Sequence, residues 1–418
     1  MDEELVKVTV SIITIGDELL IGQTIDTNSA WMAQQLNAMG IWVHRRVAIG
    51  DVKEAILKAL EEEGAVSDIV LITGGLGPTA DDITKPVLTE YFGGKLVRDE
   101  ITYRQVMQFF ESRGLPTLQR NVDQSLVPDV CTVLHNTRGT APGMWFEKNG
   151  KIYVSMPGVP HEMKGLMEDH VLPRLREYFH TPAVIHQTLI TSGMGESFVA
   201  ERLVDFESGL PSHIKLAYLP SYGLLKLRLT ALGEDKVSTA AELSVFFHQM
   251  KALVADITVA DQDLSMAEVI GRILTDSRKT VGTAESCTGG YISHCMTLIP
   301  GSSAWYSGSI ISYSNEIKMQ LLGVQAATLN AYGAVSEQVV LEMAAGALHR
   351  LKTDYIIAVS GIMGPDGGTP EKPVGTVWIA AGSIGNLVAV KYQFRYDRYN
   401  NIQMTAAYAM NELRKLIV

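Results

Sequence analysis

Short apolar runs that end in a glycine-bearing turn and lead into a helix pattern recur along this chain, and no other feature limits its fold as much. "VKVTVSIITIG" reads as a buried strand, "TNSAWMAQQLNAMG" as a helix ending at Gly40, and "IWVHRRVAIG" as a second strand. "DVKEAILKALEEEG" follows as a helix with Asp51 placed to cap it and Gly64 to end it, and "SDIVLITGG" as a third strand running into a glycine turn. This alternation predicts parallel strands joined by crossover helices. The Asn-Gly between the apolar runs of "GMWFEKNGKIYVSMPG" predicts a hairpin, and helical pattern returns in "HEMKGLMEDHVLPRLREYF".

Pro173 and Pro182 bracket a change of character. From His186 to about Ala260 the elements shorten into a small α+β module containing "HQTLITSG", "ESFVAERLVDFESG", "IKLAYLP", "LLKLRLTALG" and "VSTAAELSVFFHQMKALVAD". The strand–helix alternation then resumes, with helices over 265–276, 315–322, 336–351 (Ser336 as N-cap) and 399–416. Strands are expected at "KTVGTA", "AWYSGSIISYS", "DYIIAVSG", 376–381 and 388–394, and the Gly/Pro-rich loop 361–375 is long enough to be functional. The expected fold is α/β: two three-layer domains with largely parallel sheets, 1–172 and 261–418, joined by the α+β connector 173–260.

Bulk composition fits this. With 418 residues the chain exceeds one core, and a prior of roughly 150 residues per domain suggests about three. No run reaches the roughly 18 uninterrupted apolar residues of a membrane helix, and the acidic start lacks the features of a signal peptide, so a cytoplasmic protein without membrane contact is expected. The net charge of −11 argues against direct nucleic-acid binding, while leaving room for a small anion in a locally positive pocket. Three cysteines with no C-x-x-C pair argue against a disulfide framework or structural zinc.

Two stretches carry chemistry. "TGGLGPTADD", Thr73 to Asp82, follows a strand and precedes a helix. Gly74, Gly75 and Gly77 let backbone N–H groups approach a ligand, and a helix N-terminus there favours an anion. Asp81 and Asp82 are candidates for holding a divalent cation beside phosphates, or equally for capping the helix after a tight turn. Asp17 and Glu18, in the loop after the first strand, are either outlying acids of the same site or plain turn residues. In a parallel sheet both loops lie at the carboxyl ends of strands, where ligands bind.

The second stretch, "AESCTGG", sets Ser286 and Cys287 side by side before Gly289 and Gly290. Intrinsic reactivity favours the thiol, yet a cysteine catalyst wants a histidine, and His294 would point down its helix away from the turn. A free cysteine is also commonly a buried core residue. A serine can instead be activated by a lysine desolvated enough to be neutral.

The ordered motifs "GDELLIGQTIDTNSAW", "TGGLGPTADDITK", "GTAPG" and "MPGVPHEM" resemble the N-terminal, molybdopterin-binding-like domain of the CinA family. "AESCTGG", "PGSSAWYSGSIISYSNEIK", "YGAVSE" and "GPDGGTPEKPVGTV" resemble its C-terminal domain, and the segment between is similar to its KH-type connector. The resemblance implies two hydrolytic activities. One is a pyrophosphatase acting on ADP-ribose with a divalent metal (Mg, Mn or Co). Gly74, Gly75, Gly77 and Thr79 would cradle phosphate, Asp17 and Glu162 would join the substrate site, and Asp81 and Asp82 would hold the metal. The other is a cofactor-free amidase that converts nicotinamide mononucleotide to nicotinate mononucleotide and ammonia. There Ser286 is the implied nucleophile and Lys318 its base, with Tyr313 and Ser360 beside them. Thr288, Gly289, Gly290 and Arg398 would bind substrate. A homodimer is implied as well. Two other readings differ in class: a nucleotide-binding scaffold serving competence or DNA processing, and a molybdopterin adenylyl transferase.

Overall fold

The computed structural model describes residues 7–79 and 81–418. Its chain divides into two compact units, one running to Ile185 and including Ala231–Ala240, the other made of His186–Thr230 and Ala241–Val418. Most of the connector falls within the second unit.

The first unit is built on a six-stranded sheet in the order Trp42–Ile49, Thr9–Ile15, Ile69–Thr73, Lys151–Met156, Gly143–Lys148, Thr132–Leu134. The first four strands run parallel, Gly143–Lys148 runs against them, and the edge strand Thr132–Leu134 pairs antiparallel with it and so runs with the first four; the expected parallel sheet thus carries antiparallel pairings at one side. Side chains alternate across it. Ile12, Ile69 and Leu71 pack with Met32 and Leu36 on one face, while Ile13, Val70 and Ile72 pack with Ile56 and Leu60 on the other. The Asn-Gly hairpin forms as expected, with Asn149 and Gly150 both at positive φ (54° and 73°) between the two strands.

Two local expectations fail. Helix Lys53–Val66 is capped by Val52 in an extended conformation, not by the Asp51 side chain. Gly64 lies inside that helix rather than ending it, because a Cβ there would stand 2.1 Å from the Tyr153 hydroxyl. The ring of Tyr153 needs the space.

The connector is a four-stranded sheet ordered Ile214–Ser221, Leu224–Gly233, Ala183–Ser192, Thr258–Ala260, with helices Glu196–Ser208 and Lys236–Leu253. The C-terminal module has a five-stranded sheet: Tyr306–Ile311, Val281–Glu285, Tyr355–Gly361, Thr376–Ser383, Asn386–Gln393. Its first three strands are parallel, Thr376–Ser383 runs against them, and Asn386–Gln393 pairs antiparallel with Thr376–Ser383. Ile356 and Ala358 face helix Glu337–Leu351, and Ile357 and Val359 face helices Met266–Ser277 and Arg398–Ile417, which makes three layers. Ser336 caps its helix by accepting from the Val339 N–H, as expected. Among the described residues no helix is long and apolar enough to cross a membrane.

Candidate functional sites

Parallel register decides what meets what in the C-terminal module. Glu285 pairs with Ile311 on one side and Val359 on the other, so Ser286, Ser312 and Ser360 leave three adjacent strands at the same edge. Ser314 then caps helix Asn315–Leu322, and Lys318 projects from it back under the strand ends. The Lys318 Nζ lies 2.9 Å from Ser286 Oγ, 2.8 Å from the Ser312 carbonyl and 3.0 Å from the Tyr313 carbonyl. Lys318 is 1% exposed, and that burial holds its pKa below the ordinary lysine value.

The pocket over this pair is lined by Ser286, Tyr313, Asn315, Lys318, Ser360 and Arg398, among others. Arg398, capped into its helix by Asp397, donates to the Gly364 carbonyl at 2.7 Å and to the Tyr313 hydroxyl at 3.3 Å. The Tyr313 ring is exposed at the rim, so it is the Tyr313 carbonyl, not its phenol, that touches Lys318. Ser360 Oγ donates to the Ala334 carbonyl at 2.7 Å, which fixes the loop forming the opposite wall. Cys287 is buried, and burial pushes its thiol up to about 12, far from the thiolate a nucleophile requires.

The turn after Ser286 differs from expectation. Thr288, Gly289 and Gly290 do not line the pocket. The Thr288 hydroxyl donates to Glu285, the Gly289 N–H to the Ser286 carbonyl, and the Gly290 N–H to Glu285. Among the described residues the N–H groups of Cys287 and Thr288 donate to no protein acceptor, so the free donors are those directly after the serine.

Glu285 is the residue that sequence reasoning missed. Fully buried, its carboxylate accepts from the Thr283, Thr288 and Ser293 hydroxyls and from the N–H groups of Gly290, Ile292 and Ser293. Three donors reach each oxygen, so the charge needs no counter-ion and the whole turn is held. An acid closing an otherwise apolar strand just before the serine was the available signal.

In the N-terminal unit, Gly74 and Gly75 adopt φ of 115° and 63°, and a Cβ would meet the Ile15 carbonyl at 2.1 Å or Thr84 Oγ1 at 2.1 Å. The Gly74 N–H is committed to the Met156 carbonyl, which leaves Gly75 and Gly77 as the glycines with N–H groups to offer. Thr79 gives both its N–H and its hydroxyl to Asp82 Oδ2. Asp82 thereby ties the turn before the helix without capping it, since helix Thr84–Phe92 has Ile83 at its N-cap and no side-chain cap, and Thr79 is not free for phosphate. Asp17 does not line the cavity; it exchanges backbone–carboxylate hydrogen bonds with Asp51. Glu162 does line it, and accepts from Asn136 to anchor the "GTAPG" loop, with burial raising its pKa.

Asp51, read from sequence as a cap, belongs to this cavity with Glu18 and Asp81. Its carboxyl is held above its ordinary range, first by burial and then by the charges of Asp17, Glu18 and Asp81. A hard divalent cation relieves such crowding, and a donor set of carboxylate oxygens fits one. Among the described residues no group of three His, Cys, Asp or Glu side chains is close enough to hold a metal alone. An Mg²⁺-like ion held by one or two carboxylates and by substrate phosphates needs no such group.

The fold and these pockets define the class: a multidomain mixed α/β protein whose C-terminal sheet presents a buried serine–lysine pair. Family models match in order: the probable molybdopterin binding domain over 11–177, the damage-inducible protein CinA KH domain over 186–257, and the CinA C-terminal domain over 263–417. A CinA-like protein of Cytophaga hutchinsonii is 44% identical over 404 residues, covering 97% of each chain. A CinA-like protein of Flavobacterium psychrophilum is 43% identical over 98% of each. The solved competence/damage inducible protein CihA of Agrobacterium tumefaciens is 40% identical and covers 35% of this chain and 91% of its own, with a TM-score of 0.35. The chain belongs to the CinA family.

Proposed function

We propose that the protein hydrolyses the carboxamide of nicotinamide mononucleotide in its C-terminal module and, with a divalent metal, the diphosphate of ADP-ribose in its N-terminal unit. The 2.9 Å approach of Lys318 Nζ to Ser286 Oγ is the observation that carries the amidase. As a neutral amine, Lys318 donates its two N–H groups to the Ser312 and Tyr313 carbonyls, and its lone pair then faces the serine hydroxyl. Lys318 takes the Ser286 proton as Oγ attacks the carboxamide carbon. The N–H groups of Cys287 and Thr288 are the donors for the oxyanion, each contributing roughly 3–4 kcal/mol in comparable sites. The lysine returns its proton to the leaving ammonia, then deprotonates the water that cleaves the acyl-serine. Arg398 at the rim holds the nucleotide phosphate.

In the N-terminal unit one or two of the cavity carboxylates, Asp51 and Asp81, would hold the metal together with the substrate phosphates, and the metal would neutralise the diphosphate and lower the pKa of a bound water. Gly75 and Gly77 offer their N–H groups to the phosphates.

The test is product analysis of the full chain with nicotinamide mononucleotide. Ser286→Ala should abolish ammonia release while Cys287→Ala keeps most of it; the reverse pattern hands the role to the thiol.

A further inference from the structure

Lys85 is the one buried lysine or arginine among the described residues of the N-terminal unit, at 9% exposure. Its Nζ donates to the Gln124 carbonyl at 2.9 Å, its one hydrogen-bond acceptor among the described residues. An ammonium has three N–H donors and an amine two, so in either state at least one stays uncommitted. Burial pulls its pKa down to about 8. A buried cation with a single carbonyl partner is costly unless an anion completes its surroundings.

Lys85 lines a second cavity, on the far side of the glycine turn, together with Gly77, Thr79 and Arg120. Two acids share that lining and their charges act on Lys85, but neither hydrogen-bonds its ammonium: Asp123 accepts from Gln119 Nε2 at 2.8 Å and Asp82 from Thr79. Arg120 is exposed and its guanidinium has no protein partner among the described residues. Gly77, Asp82 and Gln124 line both this cavity and the acid-lined one, so the two adjoin on either side of the turn.

We propose that this second cavity is a phosphoryl-binding subsite, with Lys85 as the buried contact and Arg120 as the outer one. A diphosphate then lies across the turn, one phosphoryl group beside the Asp51 and Asp81 carboxylates with their cation, the other against Lys85. The assignment of a diphosphate rests on the pyrophosphatase reading; the phosphoryl contact itself does not.

Calorimetric titration of the full chain with inorganic pyrophosphate tests it. Lys85→Met, which keeps the apolar stem, should weaken binding roughly 10- to 100-fold, as expected for losing a hydrogen bond to a charged group. Lys85→Arg should restore most of the affinity. Pyrophosphate binding unchanged in Lys85→Met, or absent from the parent protein, overturns the proposal. Should Lys85→Met not fold, Arg120→Ala at the exposed rim decides: binding about threefold weaker supports the subsite, and unchanged binding overturns it. ADP-ribose cleavage is scored separately. Its absence alongside Lys85-dependent pyrophosphate binding removes the pyrophosphatase reading and leaves the subsite standing.

Discussion

Ser286 and Lys318 are 32 residues apart in sequence and 2.9 Å apart in space, joined with no carboxylate partner on the lysine. Two backbone carbonyls take the remaining positions around the amine, and neutral acceptors do not hold a proton on it as an ion pair would. Because the folded pKa is lowered, the active amine form is lost as pH falls through that value. The acid limb of kcat/KM for the mononucleotide should therefore lie below the pKa of free lysine, roughly 10.4. A pH–rate profile checks it.

The same shift has a stability consequence. Lys318 binds its proton more weakly when folded, so at neutral pH the unfolded chain holds the proton better and folding is penalised. The penalty is full below the folded pKa and fades as pH rises to the unfolded value. Lys318→Met removes it, and should raise the melting temperature at pH 7 while abolishing amidase activity. A melting temperature that falls would show that the lysine's hydrogen bonds outweigh its desolvation.

Glu285 should behave as a positioning residue. In Glu285→Gln the amide nitrogen replaces one acceptor oxygen, so three hydrogen-bond donors now face another donor. Each buried unpaired donor costs about 1–3 kcal/mol. We expect a lower melting temperature and, in the folded fraction, slower labelling of Ser286 by a fluorophosphonate. kcat should drop roughly 100-fold, equivalent to about 2.7 kcal/mol of barrier, with KM little changed. Equal loss of labelling, kcat and folded protein would reduce Glu285 to a purely structural role.

What the sequence shows, and what it hides, follows from the range of the interactions. Apolar periodicity and glycine turns are local, so helix Asn315–Leu322 and the strand before Ser286 were readable, whereas the meeting of Ser286, Lys318 and Ser360 was implied by the resemblance to the CinA family. The antiparallel edges of both large sheets were less visible, because a hairpin is seen but its place in a sheet is not. Asp51 looks like a helix cap because it precedes "VKEAIL", yet its partner is Asp17, 34 residues away. Gly64 looks like a helix stop because its reason, Tyr153, lies on a different strand. Thr288 and Gly290 look like ligand-binding groups until Glu285 is seen to use them.

Gly346 tests how Lys318 is placed from behind. It lies in helix Glu337–Leu351, where a glycine costs about 1 kcal/mol relative to alanine. The gain from alanine is not accessible, since a Cβ would stand 1.8 Å from the Leu322 carbonyl at the end of the lysine's own helix. Gly346→Ala should therefore destabilise by about 1–3 kcal/mol, as overpacking does. It should also lower kcat by pushing helix Asn315–Leu322 off Ser286. Melting and steady-state kinetics on one preparation check both.

Substitution of Arg398 should separate the proposed phosphate recognition from the proposed chemistry. Its guanidinium sits at the pocket mouth, anchored by the Gly364 carbonyl, and does not touch Ser286 or Lys318 through any hydrogen bond. Arg398→Ala should raise KM for nicotinamide mononucleotide roughly 10- to 100-fold, the scale of a charge-assisted pair. Nicotinamide riboside, which lacks the phosphate, should be turned over equally by parent and variant. A parallel loss on the riboside would mean that Arg398 instead holds the 361–375 loop in shape.

Metal removal should separate the two proposed activities. Carboxylates crowd the N-terminal cavity, where Asp51 is held above its ordinary range by burial and by three neighbouring acids, while the serine–lysine pocket is lined by no carboxylate. A chelator should therefore abolish ADP-ribose cleavage and leave ammonia release from the mononucleotide unchanged. Asp51→Asn should do the same without a chelator. It removes one charge from the crowded group, so the apo protein should be no less stable, while the divalent ion should lose its stabilising effect on melting. If Asp51→Asn still gains as much from the ion as the parent does, the cation binds elsewhere; if the chelator also stops ammonia release, the two sites are not chemically independent.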